Sequence, residues 1–269
     1  MPEASGDVTQ LLVEGARAFP VDILSKSRTG LNVAVHIQRP GGSVVDYGLR
    51  IEAPGEEPRV KEEPRQHLPT CCPNRHINHG GYFCLGYSAE DALAVRTLED
   101  AEAWWTRLWK YLSLQTTTTA LKRWPSKTEW AHHGAAFHQA RAEASAIALG
   151  PDYRDALDRR RLGVPPRTKG SAFLRLMDGN RRLYSVWREH RRVATLRQRC
   201  FCGSGRALSA CSDHAGAAAD LVSAITDWLT AEAEFWRSMK GQTCCGTLAE
   251  CPLKGPNPPA NDDGKAEAA

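Results

Sequence analysis

Two stretches of the chain concentrate residue types able to do chemistry. In CFCGSGRALSACSDH, residues 200–214, Cys200 and Cys202 stand one residue apart, and Cys211 follows a gap that contains Gly203 and Gly205. A C-x-C pair lets two thiolates share one tetrahedral metal ion, and the glycines let the chain turn back so that a third thiolate reaches it. In LPTCCPNRHINHGGYFCLGYS, residues 68–88, three cysteines and two histidines crowd round a glycine pair. No C-x-x-C occurs there, so a metal would need ligands from elsewhere. A reactive thiol accounts for more of it. Cys84 follows the Gly80-Gly81 turn, where a loop leaves a sulfur part exposed, and His76, eight residues earlier, can donate a hydrogen bond to an oxyanion. Cys71 and Cys72 are expected to be structural or second-site metal ligands rather than nucleophiles.

The elements that must position these groups follow from periodicity. DVTQLLVEGARAF has helical spacing at Val8, Leu11, Leu12 and Ala16. VDIL, LNVAVHIQ and SVVDYGLRIEA read as strands, the last two joined by the turn RPGGS. LEDAEAWWTRLWKYLSLQ places Ala101, Trp105, Leu108, Leu112 and Gln115 on one face of a helix. A further helix is expected from a capping box, Ser126 with Glu129, to a stop at Gly150. Residues 1–150 thus read as an α+β domain. Residues 151–170, with Pro165-Pro166 between glycines, read as a linker. Residues 171–253 read as a smaller, mostly helical domain, with helices in SAFLRLMDGNRRLYSVWREHRRVATLRQR and AGAAADLVSAITDWLTAEAEFWRSMK. The tail, 254–269, reads as disordered.

A chain of 269 residues, 42% hydrophobic and 25% charged, has the composition of a soluble globular protein with ample core. No run of about 18 apolar residues and no secretory leader is evident, so a cytoplasmic protein with no membrane association is expected. Nine cysteines, an odd count with adjacent pairs, suit metal or thiol chemistry in a reducing compartment better than a disulfide framework. The net charge of +4 comes from a basic surplus within Arg154–Arg199, expected to be a solvated helix face.

RHINHGGYFCL, followed by a Trp-bearing helix ending in YLSLQ, resembles the active-site region of ubiquitin-conjugating enzymes. Those carry a His-Pro-Asn signature, then Ile-Asn, a glycine, and Ile-Cys-Leu, whose cysteine holds the thioester. Aligned on that cysteine, Cys84 takes the catalytic position, Gly81 the glycine and Ile77-Asn78 the Ile-Asn pair. His76 falls on the oxyanion-stabilising asparagine, while Asn74 and Arg75 replace His-Pro. With the flanking LPTCCPNRHIN and WPSKTEWAHHGAA, this is similar to the cysteine-rich bacterial branch of the family. The resemblance implies a ubiquitin-conjugating (E2-type) fold over residues 1–150 and a transferase activity. It also implies a ubiquitin-like protein and an activating enzyme as partners, in a bacterial conjugation operon of the kind linked to antiphage defence. Many members place an acidic residue near the loop after the helix, and QTTTTALKRWP has none. The role of activating the acceptor amine is left open among Glu90, Asp91, His132, His133 and His138.

CFCGSGRALSAC is similar to the SEC-C type of zinc motif, in which the fourth ligand directly follows the third. Ser212 stands there, so His214 is taken as the fourth ligand, with Cys244, Cys245 and Cys251 as alternatives. Zinc beside no evident acid or base implies a structural role. The rival reading is a non-catalytic zinc-binding adaptor whose basic helix around Arg181–Arg199 binds nucleic acid or protein. A cysteine hydrolase is disfavoured, since no Cys-His-Asp/Asn set is visible.

Overall fold

A computed structural model of the chain describes residues 7–39, 41–86, 93–125, 131–166 and 171–254. These form two compact units. One gathers residues up to 85 with 94–125 and those from 238 onward; the other runs from 126 to 237 with a short piece before 94.

The first unit begins with α1 (Val8–Gly15), followed by β1 (Val21–Ser27), β2 (Gly30–Gln38), β3 (Val44–Glu52) and β4 (Arg59–Glu62), which pair in that order as an antiparallel sheet. Leu31, Val33, Val35 and Ile37 of β2 alternate inward, and so do Val45, Tyr47, Leu49 and Ile51 of β3. The register sets Val33 opposite Leu49 and Val35 opposite Tyr47, so one face is continuously apolar. The helix α2 (Leu98–Leu121) supplies Ala101, Trp104, Trp105, Leu108, Tyr111 and Leu112 to the same core. Trp105 Nε1 donates to the Leu12 carbonyl at 2.8 Å, fixing α1 to α2. The strand β4 was hidden in a charged sequence because its inward residues are Val60 and Glu62. The Glu62 carboxylate is buried as an acceptor for the His67 and Leu68 N–H groups and shapes the approach to the cysteine-bearing loop.

The helix α2 continues six residues beyond Gln115, where the sequence suggested a loop. The hydroxyls of Thr116, Thr117, Thr118 and Thr119 each donate to the carbonyl four residues back, at 2.7 to 3.0 Å. That back-bonding satisfies hydroxyls that would otherwise compete with the helix.

The second unit holds α3 (Ala135–Leu149), α4 (Pro151–Asp158), β5 (Leu162–Gly163), β6 (Phe173–Asp178), β7 (Arg181–Trp187), β8 (Arg192–Val193) and α5 (Ala215–Ser238). The expectation of a mostly helical domain is corrected here: β5, β6, β7 and β8 form a second antiparallel sheet. Leu176, Tyr184 and Val186 are fully buried and alternate with part-exposed or exposed neighbours, the period of a strand. Gly179, at φ +56°, makes the two-residue turn between β6 and β7. The basic residues from Arg175 to Arg199 therefore stand on strands, turns and loops, not on a helix. The linker reading of 151–170 also gives way, since Tyr153, Ala156, Leu157 and Leu162 enter the core of this unit. The helix α3 stops at Gly150 (φ +112°) as expected, but it packs in the second unit rather than in a domain ending at residue 150. The capping box at Ser126 and Glu129 and the tail beyond Lys254 lie outside the described residues. Among the described residues no helix is long and apolar enough to cross a membrane.

Candidate active site and metal centre

The loop that carries Cys84 is built from short backbone exchanges. Cys72 and Ile77 trade N–H to carbonyl bonds at 2.9 and 3.0 Å, closing a turn over Pro73, Asn74, Arg75 and His76. His76 sits in the left-handed region at φ +53°, an uncommon conformation for a residue with a Cβ. Asn78 N–H donates to the Tyr82 carbonyl at 2.8 Å, and Gly80 and Gly81 (φ +80° and +86°) supply the reversal between them. Phe83 N–H then bonds the Val60 carbonyl at 2.8 Å, anchoring the loop to β4.

This folding brings the two expected site residues together. Cys84 N–H donates to the His76 carbonyl at 2.8 Å. Cys84 is half-buried, while the His76 residue is 8% exposed, its ring centred 5.0 Å from that of Trp124.

Three residues whose sequence pattern did not mark them as part of the site hold the turn from below. Arg75 is buried, its Nε donating to Gln115 Oε1 at 2.8 Å and its Nη2 to Thr119 Oγ1 at 2.7 Å. Gln115 Nε2 returns a bond to the Arg75 carbonyl at 2.6 Å. The Tyr111 hydroxyl donates toward the Arg75 and His76 carbonyls at 3.1 and 3.2 Å, and burial pushes its acidity far down, so it acts as a fixed donor. The available sign was Gln115, a polar residue on the apolar stripe of α2; a buried arginine in a loop has no comparable sign.

The candidates for activating an acceptor divide. Glu90 and Asp91 lie outside the described residues. His132, His133 and His138 belong to the second unit, where the His132 backbone N–H and ring both meet the Glu232 carboxylate and the ring stacks on Phe235. His133 packs against Phe235 as well, and His138 against Phe137.

The second cluster assembles locally. Cys200 N–H bonds the Arg206 carbonyl and Leu208 N–H the Gln198 carbonyl, so the segment folds into a hairpin whose tip holds Gly203 and Gly205 at φ +70° and +74°. The donor atoms of Cys200, Cys202, Cys211 and His214 all lie within 4.8 Å of one another. Sulfur separations are 3.3 Å for Cys200 to Cys202 and 4.0 Å for Cys202 to Cys211, and His214 Nδ1 is 3.5 Å from Cys211. Zinc–thiolate bonds of about 2.3 Å in a tetrahedron require edges of about 3.8 Å, so the donor set matches such an ion. Hydrogen bonds from Ser204 pull the Cys202 thiol down to about 6, and the His214 ring holds the Cys211 thiol low, which favours the thiolate form a metal needs. His214 is the fourth donor of that group, while Cys244, Cys245 and Cys251 belong to the first unit.

Comparison with known proteins sets a boundary close to residue 126, as the units do, but takes residues 238–253 with the second part rather than the first. Residues 19–126 match the family of the prokaryotic E2 domain, and residues 131–253 match the cysteine-rich domain found C-terminal to an E2 domain. No curated protein and no solved structure matches the chain. Together these two matches place the chain in the prokaryotic E2-like family with a C-terminal cysteine-rich domain.

Proposed function

We propose that the chain is a ubiquitin-conjugating-type acyl carrier and transferase. Cys84 accepts the C-terminal acyl group of a ubiquitin-like protein from an activating enzyme and passes it to an amine on a target. The observation that carries this reading is the Cys84 to His76 backbone bond, which puts a half-buried thiol and an imidazole on one rigid turn.

In the first step the Cys84 thiolate attacks the activated carbonyl carbon. The bond to Cys84 forms as the bond to the activating enzyme's sulfur breaks, and that sulfur leaves as thiolate. In the second step the amine attacks the thioester carbon and charge gathers on the carbonyl oxygen. Collapse expels the Cys84 thiolate, and the amine proton passes to solvent. A His76 ring N–H donates to the oxyanion, with Trp124 and the Arg75–Gln115 clamp keeping the turn in place. Cys200, Cys202, Cys211 and His214 would hold zinc, which would supply structure rather than chemistry, since the chain itself offers four donors. The setting we propose is a bacterial cytoplasmic conjugation system with a defence role, by the resemblance of the active-site sequence.

Incubation with the matching ubiquitin-like protein, activating enzyme and ATP should give a thiol-sensitive adduct that is absent in Cys84→Ala. Persistence of the adduct in that variant would show another nucleophile, and no adduct with matched partners would favour a non-catalytic adaptor. In His76→Ala, loading should survive while discharge slows about 10² to 10³-fold, the usual cost of one oxyanion donor. Equal loss of both steps would remove His76 from that role.

A further inference from the structure

The outward face of the second unit's sheet serves neither the metal cluster nor acyl transfer. Leu174 and Leu176 of β6 and Tyr184 and Val186 of β7 turn into the core, so their alternates Phe173, Arg175, Ser185 and Trp187 turn away from it. The register sets Phe173 opposite Trp187, Arg175 opposite Ser185 and, from β8, Arg192 opposite Trp187. Residues directly opposite share a face, so one surface carries two aromatic rings with an arginine on either side. The Phe173 and Trp187 ring centroids are 4.1 Å apart at an interplanar angle of 42°, and the two residues are 38% and 40% exposed. The His190 ring adds an edge contact to Trp187, with centroids 6.5 Å apart. A single exposed apolar residue is ordinary, but large rings in mutual contact, rimmed by charge, mark an interaction surface.

Charge indicates the partner. Residues 171–199 hold eight arginines, two acidic residues, Asp178 and Glu189, and no lysine. All eight arginines are exposed, and among the described residues none of them forms an ion pair, whereas Asp178 is paired with Arg161 at 3.6 Å. Among the described residues no cation of the chain lies over the Phe173 or Trp187 ring either, so guanidinium groups and rings are not spent on each other. A guanidinium pairs with a phosphate through two parallel hydrogen bonds, and an aromatic ring stacks on a base. An acidic protein surface matches the charge but offers the rings no bases to stack on. A duplex offers phosphates but keeps its base faces inside the stack. A single strand offers both.

We infer that the outward face of β6, β7 and β8 binds single-stranded nucleic acid, with Phe173 and Trp187 stacking on bases and Arg175 and Arg192 holding phosphates on either side. By strand geometry the two arginines stand about 10 Å apart across the sheet and about 7 Å along it, so a strand crossing the rings diagonally reaches both. The contacts are to phosphates and base faces, which gives strong salt dependence and little sequence preference. The surface lies within the second unit and does not depend on the thioester reading.

Fluorescence anisotropy of the full chain with labelled oligo-dT and oligo-U tests this. Both should bind, more tightly than a duplex of equal length, and binding should weaken as salt rises. Trp187→Ala should weaken binding about 5- to 150-fold, the range for one stacked base, while Trp187→Phe, which keeps a ring, should retain most of it. Arg175→Gln with Arg192→Gln should flatten the log–log salt slope by about 1.4, the share of two phosphates on a single strand. In the unaltered chain, ultraviolet crosslinking to bound oligo-dT should map to peptides containing Phe173 or Trp187. No binding at low salt, equal affinity for the duplex, crosslinks elsewhere alone, or Trp187→Ala binding as tightly as the parent would overturn the proposal. Displacement of the oligonucleotide by polyglutamate as readily as by unlabelled oligo-dT would overturn it too, and would assign the face to an acidic protein.

Discussion

The two chemistry-bearing stretches are assembled by opposite routes. Cys200, Cys202, Cys211 and His214 come from fifteen consecutive residues, folded by a glycine-tipped hairpin. In the turn before Cys84, Asn74 meets Glu250 only after the chain has made the sheet, α2 and the second unit. Loop closure grows as (3/2)RT ln n, so joining Asn74 to Glu250 costs about 2 to 3 kcal/mol more than joining Cys202 to Cys211. The near cluster can form before its surroundings do, whereas the distant one reports that the first unit is complete.

Metal removal gives the largest effect and the most direct way to break this contrast. Structural zinc in small domains is worth about 10 to 16 kcal/mol in apparent binding energy. Chelation should sharply raise hydrogen exchange at residues 193–214 and leave 72–77 unchanged. No rise at 193–214 would mean that the near cluster holds no structural metal.

A smaller effect separates the supports of the two clusters. Arg75→Ala removes charged hydrogen bonds to Gln115 and Thr119 and leaves buried acceptors unpaired, so the urea midpoint should fall by the equivalent of about 2 to 3 kcal/mol. Arg206→Ala, at an exposed position beside the near cluster, should change stability by less than about 0.5 kcal/mol. Similar costs for both would mean that the turn over Arg75 is not held by its side chain.

The smallest effect is a difference in pH response. His36 bridges three strands, through Asp46 at 2.8 Å and Asp22 at 3.0 Å, and these bonds raise its pKa above 6.5. Its contribution is full below about 6.5 and lost as pH rises through the raised value, so the first unit should weaken slightly on the alkaline side. In the second unit burial would raise the Glu232 pKa, but the hydrogen bond from His132 outweighs it and holds the carboxyl below 4.5. That contribution is present above 4.5 and lost as pH falls, so the second unit should weaken on the acid side. Thermal melts of the full chain from pH 3 to 9 should show the two slopes, and Asp46→Asn should flatten the alkaline one.

What could be read from sequence follows the same line between near and far. The alternation in β2 and β3, the α2 stripe and the C-x-C hairpin with His214 are local patterns, and each was legible. The sheet β6–β7 was local too but misread, because arginines scattered through residues 173–199 imitate a helix face while Leu176, Tyr184 and Val186 keep strand period. Asp178-Gly179 was the turn sign that should have decided it. The Arg75–Gln115 clamp spans 40 residues and the Asn74–Glu250 contact 176, and no periodicity points to partners that far apart.

The return of residues 238–254 to the first unit bears on how the protein is made. Roughly 120 residues separate the end of α2 from Cys244, and at about 5 to 20 residues per second a ribosome needs roughly 6 to 25 s to cross them. During that interval the sheet and α2 can fold, but the turn under His76 waits for its last support. A nascent chain arrested after α5 should therefore present a folded sheet and an unfinished loop around Cys84, so synthesis of residues 239–254 times the completion of that loop.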